Sequence, residues 1–377
     1  MSRSEANRSD ALSPGVAWPA PLPEHGGQVA PLLARFGLPA DHAITDFSAN
    51  LNPLGPPAWL DSWLAAAMEG LGRYPDPHYG DARRTIAEHE GVTPEQVLLT
   101  NGGVEAIFLA AARHAGGRAA IVQPTFTEYA RACRHYRLVI EEVALSGEHF
   151  ELDEVATVAA MSRCDVLFLC RPNNPTGTLV PQGQVEAMLA SAQQHGCHLV
   201  VDEAFVDFVT GDERLTPLLA RYPNLTLLRS LTKLYAVPGL RLGYLLGNVE
   251  SVSRLASLQM PWSVNHFAAE LVAPLLADGD YLARTRDWLR AEQPRLQAGL
   301  AAAGLKVVPS RTNFFLLQPA AGPQATGALF EAWLQAGILA RHTHNFLGLD
   351  GVWLRLALRS RVDNDRLMAV LDARHPT

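Results

Sequence analysis

In Ser230-Leu231-Thr232-Lys233-Leu234-Tyr235-Ala236-Val237-Pro238-Gly239-Leu240-Arg241 a lysine follows an apolar run, and an arginine lies eight positions further on. An amine in a desolvated site near another cation can lose its proton and attack a carbonyl carbon. In Val200-Val201-Asp202-Glu203-Ala204-Phe205 a carboxylate ends an apolar run. Such a group is costly to bury unless it meets a cation or a hydrogen-bond donor, and a protonated heterocyclic nitrogen would serve. Thr100-Asn101-Gly102-Gly103-Val104-Glu105 reads as a strand end turning through two glycines into a helix whose free N–H groups suit an anion. Arg171-Pro172-Asn173-Asn174-Pro175-Thr176-Gly177 fixes polar amides after another apolar run by flanking prolines. Each segment alone also reads as something ordinary: a solvated lysine, a strand-to-helix turn, a proline-rich turn. Taken together, the four would meet at the carboxyl ends of the strands of one open sheet, where α/β proteins bind ligands, and they suit a phosphorylated cofactor.

The elements that would hold them are legible in the same way. Short β-rich runs at 97–100, 119–123, 165–170, 198–202, 225–229 and 242–246 alternate with helical patterns, which predicts a mostly parallel sheet covered on both faces. Beyond about residue 250 the pattern changes to long helices, at 251–259, 264–276 and 281–303. Strands at 306–318 and 352–358 flank a helix at 326–336, as in a smaller α+β domain. The chain divides into a tail (1–24), an arm and substrate loop (25–75), a large domain (76–260), and interdomain helices with a small domain (261–377).

Of the 377 residues, 48% are hydrophobic and 18% charged, which excludes general disorder. A net charge of −7 leaves no global basic footprint for nucleic acid or an anionic membrane, so anionic small molecules need local basic sites. The apolar stretch at 267–277 is broken by Glu270 and Pro274, which argues against a membrane span. Cys133, Cys164, Cys170 and Cys197 form no C-x-x-C pair and read as reduced core thiols, pointing to the cytoplasm. The first 24 residues lack the apolar core of a signal peptide. His342-Thr343-His344 has no metal-binding spacing and reads as a solvated loop. Arg341 and Arg355 carry guanidinium forks suited to carboxylate or phosphate, the alternative being a pair of surface arginines.

From about His25 to the C-terminus, the four segments in this order resemble the fold type I, pyridoxal-phosphate-dependent aminotransferase superfamily. The resemblance implies an α/β fold, with a large domain on a mostly parallel seven-stranded sheet plus a small C-terminal α+β domain. It implies that Lys233 carries pyridoxal 5'-phosphate covalently, that Asp202 pairs with the pyridinium nitrogen and that Asn174 bonds the phenolic oxygen. Gly102, Gly103, Val104, Ser230 and Arg241 would cradle the phosphate. Phe126 would stack on the ring, with core packing as its alternative. Tyr74 would reach the cofactor phosphate of a partner subunit, which implies a homodimer. Phe205 departs from the pattern, since many relatives carry a tyrosine there whose hydroxyl contacts the phenolic oxygen.

Within the superfamily, His25-Gly26-Gly27, Asp46-Phe47-Ser48-Ala49-Asn50-Leu51-Asn52-Pro53-Leu54-Gly55 and Asp202-Glu203-Ala204-Phe205-Val206-Asp207-Phe208 are similar to threonine-phosphate decarboxylases of cobalamin biosynthesis. Histidinol-phosphate aminotransferases are the second resemblance, and an inactive cofactor-binding paralogue is a third reading. The first implies a small phosphorylated amino acid as substrate, with its anions held by His25, Arg341, Arg355 and amides near Asn50 and Asn174. No nucleic acid, membrane or metal is expected as a partner.

Overall fold

The computed structural model describes residues 22–372, so the expected tail lies largely outside the described residues. A short helix, Val29–Arg35, precedes the first strand, β1 (Thr45–Asp46). Seven strands then form the large sheet: β2 (Val97–Asn101), β3 (Arg118–Gln123), β4 (Val139–Ala144), β5 (Val166–Cys170), β6 (His198–Asp202), β7 (Leu225–Ser230) and β8 (Leu242–Gly247). Their order is β2-β8-β7-β6-β5-β3-β4. Only β8 runs antiparallel to its neighbours.

The apolar runs of β5 to β8 follow from burial on both faces. Leu167, Leu169, Leu199, Val201 and Leu227 enter one core. Val166, Phe168, Cys170, Val200 and Leu228 alternate with them into the other. β4 escapes the hydrophobic pattern: it is the edge strand, and Glu141 and Glu142 sit in its middle.

The small sheet contains β9 (Leu305–Val307), β10 (Phe314–Pro319), β12 (Arg341–His342) and β13 (Leu354–Ala357), all antiparallel, in the order β12-β13-β10-β9. The single strand expected at 306–318 is two strands paired with each other, Leu317 opposite Val307. The run between them contains Pro309 and bonds to the Gly177 turn. The long helices start at their caps, which set the boundaries. Asn248, Asn265 and Asp278 accept from Ser251, Ala268 and Tyr281 N–H, giving helices Val249–Leu258, His266–Ala277 and Gly279–Ala302.

The N-terminal arm shares structure with the C-terminal residues. β1 pairs in parallel with β11 (Ile338–Leu339), and His42 Nε2 contacts the Leu334 carbonyl. The expected boundary at 24/25 falls inside a bonded segment, since the Pro23 and Glu24 carbonyls meet His342 and Arg341. Among the described residues, no helix is long and apolar enough to cross a membrane and no His/Cys/Asp/Glu group is arranged to hold a metal.

Candidate active site

β6 delivers Asp202 into a buried position at its carboxyl end, where Tyr129 Oη–H donates to Oδ2 at 2.8 Å and the Ala204 N–H donates to Oδ1 at 3.0 Å. Among the described residues no cation lies within ion-pair distance of this carboxylate. Burial accordingly pushes its pKa up despite those two donors. The next residue anchors the strand end. Glu203 is fully enclosed between Arg171 Nη1 at 3.1 Å and Arg229 Nη2 at 3.0 Å, tying β6 to the end of β5 and to β7. Arg229 also faces Glu90 at 3.5 Å. Burial raises the Glu90 carboxyl, but Arg229 and Arg214 outweigh it and hold the pKa at about 2.

Lys233 follows β7 on a single helical turn, Leu231–Leu234. Its pKa is lowered to about 8, first by burial and then by the like charges of Arg241 and Arg355, against the pull of Asp202. The Asn52 N–H donates to the Lys233 carbonyl at 3.1 Å, and Asn52 Nδ2 donates to that of Leu234 at 2.9 Å. The Asp46 to Pro53 loop is thereby seated beside the lysine. In that loop Asn50 is buried, with Oδ1 lacking a partner among the described residues.

Gly102 begins the helix Gly102–Ala112, whose N-cap Asn101 makes no side-chain capping bond. The first N–H groups therefore stay available to an anion. Gly102 has φ +75°, and a Cβ there would lie 2.5 Å from Arg241 Nη2. Only glycine admits both the backbone and the guanidinium. Arg241 forms no ion pair among the described residues and donates only to the Pro238 carbonyl. Ser230 Oγ lies 2.8 Å from Thr232 Oγ1, and its Cβ would be 3.9 Å from a Cβ on Gly103. Gly102→Ala is expected to lower Tm through about 1–2 kcal/mol of left-handed strain and to weaken phosphate binding by displacing Arg241. Unchanged unfolding and unchanged pyridoxal phosphate binding by equilibrium dialysis would remove this turn from the site.

Phe126 packs edge-on to Tyr129 with centroids 6.0 Å apart and tilts toward His25 at 6.1 Å. Its loop is clipped to the amide turn by Asn173, which donates to the Pro124 carbonyl at 2.9 Å and accepts from Thr125 Oγ1 at 3.0 Å. Asn174 Oδ1 accepts from Arg355 Nη1. Arg355 Nη2 also donates to the Ser48 carbonyl at 2.7 Å, and its guanidinium lies 5.5 Å from the centre of the Phe314 ring. Phe205, lacking a hydroxyl, packs edge-on to the same ring at 4.8 Å.

Arg341 and Arg355 are directly opposed across the β12–β13 ladder, at 3% and 5% exposure. The surface-pair alternative is thereby excluded. Neither forms an ion pair among the described residues. Burial lowers the Arg341 pKa to about 10; burial and then the charge of Arg341 lower that of Arg355 to about 9. Two buried cations side by side without a counter-ion form a site for an anion. The expectation of a solvated loop at His342-Thr343-His344 is corrected: His342 and Thr343 are buried, because β12 pairs with β13 and His342 Nε2 meets the Pro23 carbonyl of the N-terminal segment at 2.9 Å.

His25 is also brought in. Gly26 runs so close to Ser48 that a Cβ would lie 2.1 Å from its carbonyl oxygen, and the Gly27 N–H donates to Ser48 Oγ at 2.8 Å. Tyr74 is not brought in. It is 84% exposed and its ring contacts Trp262 at 5.1 Å. Sequence reasoning missed Tyr129, which lies in the first turn of the helix Glu128–His135, three residues after Phe126 in the preceding loop. It also missed Glu203, Arg229 and Ser48, for which composition carries no local signal.

An uncompensated buried carboxylate, a lysine of lowered basicity, and an arginine facing an open helix N-terminus complement a group with a cationic ring and an anionic phosphate. These residues fit pyridoxal phosphate. Residues 43–373 match the aminotransferase class I and II family. The chain belongs to that family. This aminotransferase-family enzyme is similar to the threonine-phosphate decarboxylase of Salmonella typhimurium, at 37% identity over 350 residues, 92% of this chain and 95% of the relative. Among solved structures it resembles the histidinol-phosphate aminotransferase from Clostridium acetobutylicum, with TM-score 0.82 and 26% identity, covering 87% of this chain and 98% of that one. It also resembles the L-threonine-O-3-phosphate decarboxylase from Porphyromonas gingivalis, with TM-score 0.76 and 28% identity, covering 88% of this chain and 99% of that one. Its seven-stranded and smaller sheets are those of fold type I.

Proposed function

We propose that this enzyme uses pyridoxal phosphate to decarboxylate O-phospho-L-threonine, giving (R)-1-amino-2-propanol phosphate for cobalamin biosynthesis. The observation that carries the reading is the Arg341–Arg355 pair, two buried guanidinium groups without an ion-pair partner among the described residues. They suit a substrate with two anionic groups. O-phospho-L-threonine has a carboxylate and a phosphate, whereas histidinol phosphate has only the phosphate. The similarity to the Salmonella relative supports the same reading.

In this reading Lys233 holds the cofactor covalently, Asp202 keeps its ring nitrogen protonated, Asn174 bonds its ring oxygen and Phe126 covers the ring face. Gly102, Gly103, Val104, Ser230 and Arg241 hold its phosphate. When bound, the cofactor supplies a sink for the electron pair released at the substrate α-carbon. The protein's part is orientation. Arg341, Arg355, His25, Asn50 and Asn174 anchor the substrate so that the bond to the carboxylate stands perpendicular to the ring and the α-hydrogen is turned away from Lys233. Loss of CO2 is balanced by one proton taken up at the α-carbon, which Lys233 or water can deliver. With Phe205 offering no hydroxyl, Asn174 contacts the ring oxygen without that second donor, and Arg355 holds its amide in place.

The same reading makes the enzyme a cytoplasmic homodimer in which Tyr74 reaches the partner's cofactor phosphate. Its exposure beside the exposed Trp262 supports a subunit contact there.

The test is incubation of the purified enzyme and pyridoxal phosphate with O-phospho-L-threonine, without any 2-oxo acid. Release of CO2 and aminopropanol phosphate is expected. No release, with amino transfer from histidinol phosphate once 2-oxoglutarate is added, would replace this reading by transamination, which the likeness to the Clostridium aminotransferase favours.

A further inference from the structure

We propose that Glu128 is a positioning residue for substrate binding, setting the His25 imidazole over the site so that its free ring nitrogen meets a substrate anion. The inference rests on the reading of His25 as a substrate ligand.

The backbone around His25 is fixed from two sides. On one side the Glu24 carbonyl accepts from Arg341 Nη2 at 2.5 Å and from Asn345 Nδ2 at 2.9 Å. On the other, Gly26 and Gly27 lie against Ser48, whose own carbonyl is bonded to Arg355. Asp46 Oδ1 holds the Ser48 N–H at 2.7 Å and the Ser48 hydroxyl at 2.6 Å. Residues 23–27 thus form a strap touching the two anion-binding arginines directly or through one residue. With the backbone held, what remains free is rotation of the His25 side chain, which is 41% exposed.

Glu128 removes that freedom. His25 Nε2 lies 3.3 Å from Glu128 Oε1, the one polar contact of the ring among the described residues. Glu128 begins the helix Glu128–His135, immediately after the loop carrying Phe126, and its side chain is only 6% exposed. Its carboxyl is held below the usual range by the hydrogen bond from His25, against burial, with help from Arg131 at 3.5 Å. It therefore stays ionised at neutral pH and accepts the Nε2 proton. With Nε2–H committed to Glu128, the imidazolium form of the ring has Nδ1–H left to donate to a substrate anion, and the ring stands beside Phe126 at 6.1 Å. An acceptor fixed on the large domain thus aims a ligand carried by the N-terminal strap, a pairing that neither segment specifies locally.

The test is a double-mutant cycle of His25→Ala and Glu128→Ala on the holoenzyme. It is run with whichever phosphorylated amine the wild type turns over, O-phospho-L-threonine or histidinol phosphate. Each single variant is expected to raise KM roughly tenfold, with kcat changed less than about twofold. The double variant should be no worse than His25→Ala alone, and the absorbance of bound cofactor should not move. Glu128→Gln, which keeps an acceptor oxygen, should recover most of the lost affinity and covers the case in which the alanine variant folds poorly. A raised KM in His25→Ala with none in either Glu128 variant, or additive effects in the cycle, would overturn the positioning role. An unchanged KM in His25→Ala would remove His25 from the substrate site and the inference with it, whichever reaction the wild type performs.

Discussion

Lys233→Ala is expected to lower kcat by at least on the order of 10⁴-fold and to abolish the visible absorbance of covalently linked pyridoxal phosphate. The rest of the cradle would remain: the helix N-terminus at Gly102, Ser230, Arg241 and Asp202 do not depend on the lysine side chain for their positions. The variant should therefore still bind the cofactor, but reversibly, so that dialysis strips it. The wild-type amine titrates near pH 8 because burial and the charges of Arg241 and Arg355 disfavour the ammonium. Covalent loading of the apoprotein needs the neutral amine, so the loading rate should rise with pH through a midpoint near 8 and flatten above it. The same shift has a stability consequence. Since the folded pKa lies below the ordinary lysine value of 10.5, the cost of burying this charge is fully present below pH 8 and is relieved between pH 8 and about 10.5. Through this group, apoprotein stability should rise with pH in that window. A Lys233→Ala protein that kept the linked-cofactor absorbance and its turnover would assign the lysine's role elsewhere.

Arg355→Met is expected to reduce kcat/KM by on the order of 10³-fold, about 4 kcal/mol of transition-state stabilisation, with little change in Tm. Two opposing terms set the stability outcome. Removing a buried guanidinium that has no counter-ion and is repelled by Arg341 relieves a desolvation cost of about several kcal/mol. Against this, the Ser48 carbonyl and the Asn174 amide oxygen lose their donor, at about 1–3 kcal/mol each. At pH 7 the relief applies in full, because the depressed pKa of about 9 keeps the group charged there. Activity has no such offset, since the variant cannot grip a second anion. The check is steady-state kinetics beside thermal unfolding at pH 7. Retained turnover would remove Arg355 from the substrate site, and a large drop in Tm would show that its hydrogen bonds outweigh its burial.

The segments proposed to hold the cofactor stood out in the chain because their signals are local. Buried strands flanked by helices on both faces must be apolar throughout, so β5 to β8 announced themselves, and β5, β6 and β7 place Asn174, Asp202 and Lys233 at or just after their ends. The Gly102 turn was legible because a left-handed backbone beside a guanidinium leaves no room for a side chain. Where the local signal is weak, reading failed. The edge strand β4 carries two glutamates, and the β9–β10 pair looked like one run, because the alternation that marks a strand says nothing about where it breaks or what it pairs with.

By itself, then, the sequence determined the superfamily and the groups able to hold a phosphorylated ring, since turn geometry and burial periodicity reside in neighbouring residues. Tertiary structure alone decided that Arg341 faces Arg355 across a ladder, that Tyr129 rather than a cation supports Asp202, and that Glu128 meets His25. It also decided that the arm joins the small domain through β1 and β11. The physical reason is common to all of these. Strand register and the burial of charge are settled by packing between segments far apart in the chain, and the cost of a buried, unpaired ion becomes visible only once its surroundings are in place.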